Sequence, residues 1–348
     1  MKDVTVIGGG PAGLYASFYA GVRGMSVQIV DFQDKLGGKM HIYPEKVVWD
    51  VGGVLPRQAH EVMTSIIEQG LHFNPDVHLG EKVVDIIKHS EKSFEVRTES
   101  GLKLYSKAVI VAVGAGIIQP TELKVEGAER FKTTNLNYAV QSLQKFKDKK
   151  VLISGGGNTA LDWAHDLSKF AKQITLCYRK EDISGHECLS QTLCQCGVIQ
   201  KPNRVIKSLV CETDDNRINK VVLASTIDDT IEEVEVDEVI VSHGFDREAA
   251  LLQQCQSQMA LVDDYFIEGQ GNTASSVPGI FACGDIVRHP AKSHLIASAF
   301  ADAANAANLA KQYILPCAQP YGKVSSHNDV FKSKNKAIIE TYAQRSSF

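Results

Sequence analysis

Two glycine-rich loops, Gly8-Gly9-Gly10-Pro11-Ala12-Gly13 and Gly155-Gly156-Gly157-Asn158-Thr159-Ala160, lie 147 residues apart in this chain. Each follows a short apolar strand and opens a helix. The first set reads as a strand at Val4–Ile7, a helix from about Pro11 to Arg23 ended by Gly24, and a second strand at Ser26–Val30. The second set reads as Val151–Ser154, a helix from about Thr159 to Phe170, and Gln173–Tyr178. Superposing the two needs no gap over about 30 residues: Gly155 falls on Gly8, Gly157 on Gly10, Ala160 on Gly13 and Tyr178 on Asp31. Such a turn is an anion site. Its glycines permit close approach of a pyrophosphate, and the helix N-terminus supplies free N–H groups and a positive dipole. One loop alone is weak support; a gapless pair points to two βαβ dinucleotide folds.

The strand ends separate the two ligands. Asp31 stands where a carboxylate binds ribose hydroxyls, so the first loop, with Gly8, Gly10, Ala12 and Gly13, suits a dinucleotide without a 2′-phosphate. The second strand ends in Tyr178-Arg179-Lys180. An acid there would repel a 2′-phosphate, whereas Arg179 and Lys180 attract one. The second loop, with Gly155, Gly157, Asn158, Thr159 and Ala160, is therefore expected to take NADPH in preference to NADH. Ala160 in the third glycine position still permits close helix packing.

A chain of 348 residues is long enough for two domains. Segments near Val83–Lys88, Ser93–Thr98 and Lys103–Ser106 alternate like a β-meander, and Ala108–Gly114 follows as a buried strand. Val205–Val210, Lys220–Ser225, Glu232–Val236 and Glu238–Ser242 repeat the arrangement. The expected architecture is α/β, with two Rossmann-like (βαβ) domains. The second, at 115–245, is inserted into a first domain split into 1–114 and 246–348. Hinges are expected in the crossing segments Gly114–Pro120 and His243–Asp246. After Pro278-Gly-Ile-Phe-Ala-Cys-Gly284-Asp285, an Ala-rich helix runs from about Ser293 to Tyr313, and the tail beyond Pro316 is polar.

Net charge is −4 and the isoelectric point about 6.3, which argues against a nucleic-acid binder. The eight cysteines include no Cys-x-x-Cys, so reduced thiols and a cytoplasmic compartment are expected. Cys194-x-Cys196, with Cys188 nearby, lacks zinc spacing, and no metal is expected. With the first strand beginning by Asp3, no signal peptide is expected, and the apolar runs are too short for an expected membrane span.

On these motifs the chain resembles, over essentially its whole length, the flavoproteins with two dinucleotide-binding domains and a thioredoxin-reductase-like fold. Gly279-Ile-Phe-Ala-Cys-Gly284-Asp285 is similar to that group's second FAD motif, and Lys150-Val-Leu-Ile-Ser-Gly-Gly-Gly-Asn-Thr-Ala-Leu-Asp-Trp163-Ala to its NADPH motif. Within the group it most resembles the bacterial type 2 ferredoxin (flavodoxin)–NADP⁺ reductases. The segments that carry this are Gly37-Gly38-Lys39, Tyr43-Pro44-Glu45-Lys46, Asp50-Val51, Leu295-Ile296-Ala297 with Phe300, and Ser325-Ser326. The resemblance implies FAD contacts at Asp31, Lys39, Tyr43, Val83, Ile118, Asp285 and Ser326, and a homodimer. It also implies a helix N-terminus near Ile296 aimed at the flavin N1–C2=O edge. Three positions depart from the family pattern: Val47 where an aromatic is common, Val324 where His is common, and Arg179-Lys180 with Ser184 in place of a three-arginine clamp.

The cysteines separate neighbouring families. Thr133-Thr-Asn-Leu-Asn-Tyr138 stands where thioredoxin reductases carry Cys-x-x-Cys, and Lys39–Asp50 has no thiol where lipoamide and glutathione reductases carry a disulfide. Ala12 replaces the loop cysteine of bacillithiol-disulfide-reductase-like proteins. Without a dithiol, the expected acceptor is a one-electron carrier, ferredoxin or flavodoxin. Lys332, Lys334 and Lys336 are candidates for a basic dock, or else a solvated tail. Two alternatives remain open at this point: a flavin reductase of small disulfides, quinones or oxygen, and a non-catalytic redox-sensing flavoprotein. No side chain is required as a catalytic acid or base.

Overall fold

A computed structural model describes residues 1–183, 192–212, 216–248, 251–252 and 255–345. It divides into two compact units. The first comprises Met1–Met40, Val47–Ile117 and Glu248–Phe348; the second comprises His41–Lys46 and Ile118–Arg247.

In the first unit the parallel strands Asp76–His78, Val27–Val30, Lys2–Ile7 and Lys103–Val111 lie side by side in that order. Val4, Val6, Ile29 and Ala108–Val111 are fully buried, as expected of strands covered on both faces. Lys103–Val111 serves two neighbours on its far edge. Its first half pairs antiparallel with Ser93–Thr98, which pairs with Val83–Ser90; its last residues pair parallel with Ile280–Ala282. The sequence reading separates Lys103–Ser106 from a strand at Ala108–Gly114; the structure joins them into one strand. Lys107 does not interrupt it, because its side chain turns to Asp3 at 2.7 Å.

The helix Pro11–Val22 packs against the helices Ala59–Gly70 and Ile296–Ile314. Small residues let the elements approach: a Cβ at Gly70 would sit 2.7 Å from Leu14, and one at Gly21 would strike the Phe73 ring. The tail, read from sequence only as polar, forms two short 3₁₀ turns and a helix, Lys332–Arg345.

The second unit holds a five-stranded parallel sheet ordered Leu136–Asn137, Glu238–Val241, Lys150–Ser154, Gln173–Cys177 and Ile199–Lys201. An antiparallel meander of Arg204–Val210, Lys220–Ser225 and Ile231–Glu235 leads back into it. The crossing strands Ile117–Pro120 and Phe245–Glu248 pair with each other.

In both parallel sheets the glycine-loop strand is the point where strand order reverses. Lys2–Ile7 lies between Val27–Val30 and Lys103–Val111, and Lys150–Ser154 lies between Gln173–Cys177 and Glu238–Val241. Open α/β sheets bind ligands beyond the carboxyl ends of such strands.

Candidate functional site: two nucleotide loops

The first loop is built by close approach. Gly8 has φ +106° and Gly284 has φ +78°, values that favour glycine. A Cβ at Gly8 would collide with the Ala112 carbonyl, and one at Gly13 with the Gly8 carbonyl. A Cβ at Gly38 would stand 2.9 Å from the Gly10 Cα, and one at Gly284 2.8 Å from the Ala12 Cβ. Three distant segments therefore meet on one glycine turn. The helix Pro11–Val22 starts there with Gly10 as N-cap and no capping side chain, leaving its first-turn N–H groups for an anion.

Asp31 accepts the Gly9 N–H on one carboxylate oxygen and the Gln33 N–H, at 2.7 Å, on the other. Lys39 Nζ lies 4.0 Å from Asp285 Oδ2, and His294 Nδ1 lies 3.7 Å from Asp285 Oδ1. Ile296 begins its helix two residues after His294, with Leu295 as an N-cap lacking a side-chain bond. Val83 is buried two residues after Glu81, whose N–H bonds to the Asp31 carbonyl. Gly8, Gly10, Ala12, Gly13, Asp31, Lys39, Val83, Asp285 and Ile296 thus all lie in the first unit. His294, not singled out from sequence, joins them; its position just ahead of a helix N-terminus after Gly-Asp was the available signal.

The second loop repeats this construction. Gly155 has φ +147°, and a Cβ on it would collide with the Ser242 carbonyl. Gly157 is the N-cap of the helix Asn158–Leu167, again with no capping side chain. A Cβ at Gly156 would lie 3.1 Å from the Tyr178 Cβ, just as one at Gly9 would lie 3.1 Å from Asp31 Oδ2. The 147-residue offset is therefore a spatial equivalence as well. Asn158 and Thr159 are exposed on the first turn, while Ala160 is fully buried. Tyr178 is buried, and Arg179 and Lys180 emerge exposed beyond it. His243 completes the loop by bonding Ser154 Oγ at 2.8 Å. Burial, with the nearby Arg179 guanidinium adding to it, holds His243 below the usual histidine range.

Of the other expected flavin contacts, Tyr43 and Ile118 belong to the second unit and Ser326 to the tail of the first. Tyr43 belongs to the second unit, packed on the core that contains Trp163 and Tyr178. The sequence reading keeps it with residues 1–114. Lys46 supplies the physical reason for the difference: Nζ lies 2.6 Å from Asp166, 3.8 Å from Asp162 and 4.5 Å from the Trp163 ring centre. Ile118 falls on the strand Ile117–Pro120, and its side chain is outside the described residues. Ser326 is exposed on a 3₁₀ turn. Its neighbour Asn328 donates to the Val22 carbonyl at 3.2 Å, and Phe331 packs near Phe18 and Phe73. These contacts hold the tail at the C-terminal end of Pro11–Val22, a helix of 12 residues. The glycine loop is at the other end, roughly 18 Å away. Ser184 and Cys188, noted in the sequence, lie outside the described residues.

The family model for pyridine nucleotide-disulphide oxidoreductases matches residues 2–307. The chain is 55% identical to a ferredoxin–NADP reductase of Staphylococcus saprophyticus over 98% of its own length and 100% of the relative's. It is 49% identical to ferredoxin–NADP reductase 2 of Exiguobacterium sibiricum over 98% and 97% of the two chains. The chain belongs to the ferredoxin–NADP reductases of the pyridine nucleotide-disulphide oxidoreductase family. A thioredoxin reductase of Lactococcus lactis has the same fold, with a TM-score of 0.71 at 21% identity over 91% of this chain and 100% of that one. A T. acidophilum thioredoxin reductase is similar, with a TM-score of 0.70 at 23% identity over 89% and 98%. The reductase fold is therefore α/β with two dinucleotide-binding units. Among its described residues, no helix is long and apolar enough to cross a membrane.

Proposed function

We propose that this protein carries electrons from NADPH through FAD to ferredoxin, with flavodoxin as a second carrier. The observation that carries the reading is the pair of loops in one register with opposite strand ends, Asp31 against Tyr178-Arg179-Lys180. The first loop fits FAD. Its close-packed glycines, uncapped helix and Asp31 provide for a pyrophosphate and a ribose, and Asp285 with Lys39 provides for the ribitol. FAD, when bound, supplies the exchange between hydride and single electrons that amino-acid side chains cannot. The chain's own part is to bind and orient. The N-terminus of Ile296–Ile314 places partial positive charge where it favours an anion.

The second loop takes NADPH, with Arg179 and Lys180 pairing the 2′-phosphate. The cytoplasm, where NADPH is available, is the proposed site of action. A homodimer is proposed on the resemblance, supported by Ile338, Ile339 and Tyr342, which stand exposed on Lys332–Arg345. A tail dock for an acidic carrier is less well supported. Lys334 bonds His72 at 2.9 Å and Lys336 faces Glu340 at 3.9 Å, so their donors are partly engaged.

The test is anaerobic reduction by NADPH followed by reoxidation. NADPH should bleach the flavin band, and ferredoxin or flavodoxin should restore it faster than disulfides, quinones or oxygen. Faster reoxidation by the small acceptors would favour a general flavin reductase. A flavin that NADPH cannot bleach would favour a redox sensor.

A further inference from the structure

The turn Cys283-Gly284-Asp285 is braced from the Ala-rich helix by a buried charge. Asp302, on Ile296–Ile314, has a side chain 7% exposed. Its Oδ2 accepts Lys292 Nζ at 2.5 Å and the Gly284 N–H at 3.3 Å, and its Oδ1 lies 3.2 Å from His289 Nε2. The Lys292 side chain is 4% exposed and that of His289 11%. The Cys283 thiol is held far above its usual range, first by burial and then by Asp302.

Desolvating two ions offsets much of their attraction, so a pair this deep adds little to stability over apolar residues of the same size. Its distinctive product is geometry. One carboxylate ties together the Gly284 turn, the Lys292 segment and the helix that begins at Ile296. Gly284 in turn rests on Ala12 of the glycine loop, and Asp285 is the next residue. The acid expected to hold the ribitol and the helix N-terminus expected to face the flavin ring are thereby fixed to one anchor.

We propose that Asp302 is a positioning residue for FAD, with Lys292 as its counter-charge. This rests on the reading of the first loop as the FAD site. Removing either partner changes the charge beneath that site by one unit of known sign. Asp302→Asn leaves the ammonium, which favours the more negative reduced flavin; Lys292→Met leaves the carboxylate, which opposes it.

The experiment uses full-length protein stripped of FAD and titrated with it, followed by visible circular dichroism and the flavin midpoint potential. Asp302→Asn should weaken FAD binding about tenfold, because a neutral amide holds the Gly284 turn and Lys292 less tightly than the carboxylate, and shift the potential upward. Lys292→Met should shift it downward. The double variant should return close to the wild-type potential. If Asp302→Asn does not fold, the downward shift in Lys292→Met decides the matter. Shifts of the same sign, or a lower melting temperature with unchanged affinity, dichroism and potential, would reduce the pair to a packing device. A wild-type protein that takes up no FAD would overturn the cofactor reading itself.

Discussion

Replacing Arg179 and Lys180 together with neutral residues should raise the KM for NADPH by roughly 10- to 100-fold. The KM for NADH should change by no more than about threefold. A charge-assisted hydrogen bond contributes about 1.5–3 kcal/mol, and each 1.4 kcal/mol is a factor of ten. Both side chains are exposed beyond the buried Tyr178, so their substitution disturbs no core. The measurement is steady-state turnover of the double variant with each nucleotide and a saturating carrier. Equal rises for NADPH and NADH would mean that the two cations support the strand end rather than read the phosphate. His243 provides an internal control: the nearby Arg179 charge contributes to its lowered pKa, so the variant should move the His243 titration back up toward the usual range. Nuclear magnetic resonance titration of the imidazole reads this without nucleotide present.

The loops were legible because local geometry decides their residues. Gly8 and Gly155 are forced by positive φ and by carbonyls across the sheet, so the chemistry appears in the sequence as glycine. The offset between loops survived folding because each half builds the same strand, turn and helix from contiguous residues. Contacts made across long separations were harder to read. The placement of His41–Lys46 depends on Asp162, Trp163 and Asp166, more than 100 residues further on. A signal did exist. Two acids four apart on one helix face repel each other, and with an indole between them they suit a cation. Asp302 was hidden for another reason. An acid in an Ala-rich helix reads as a surface residue, and only the tertiary approach of Lys292 and Gly284 makes it buried. The helix Lys332–Arg345 has only Ile338, Ile339 and Tyr342 as large apolar residues, too short a pattern to mark a helix in an otherwise polar tail.

The third glycine position provides the sharpest asymmetry between the loops, and so the second large expected effect. Gly13→Ala should abolish stable FAD binding, because its Cβ would run into the Gly8 carbonyl in the turn proposed to hold the pyrophosphate. The backbone must move to relieve the clash, since neither atom belongs to a flexible side chain. Overpacking of this kind costs about 1–3 kcal/mol, enough to lower the melting temperature by several degrees. The purified variant should be nearly colourless and should regain little flavin absorbance on incubation with excess FAD. The reciprocal change, Ala160→Gly, should be mild. Ala160 already fits its buried site, so the variant loses one buried methyl group and helix propensity, about 1 kcal/mol each. The KM for NADPH should then move less than about threefold, and the flavin content not at all. A Gly13→Ala protein that keeps its FAD would show that the first helix can accommodate a methyl group there, as the second does at Ala160. The third glycine would then be a packing preference in the first loop, and the tight fit of that loop would no longer explain why it, rather than the second, takes the flavin.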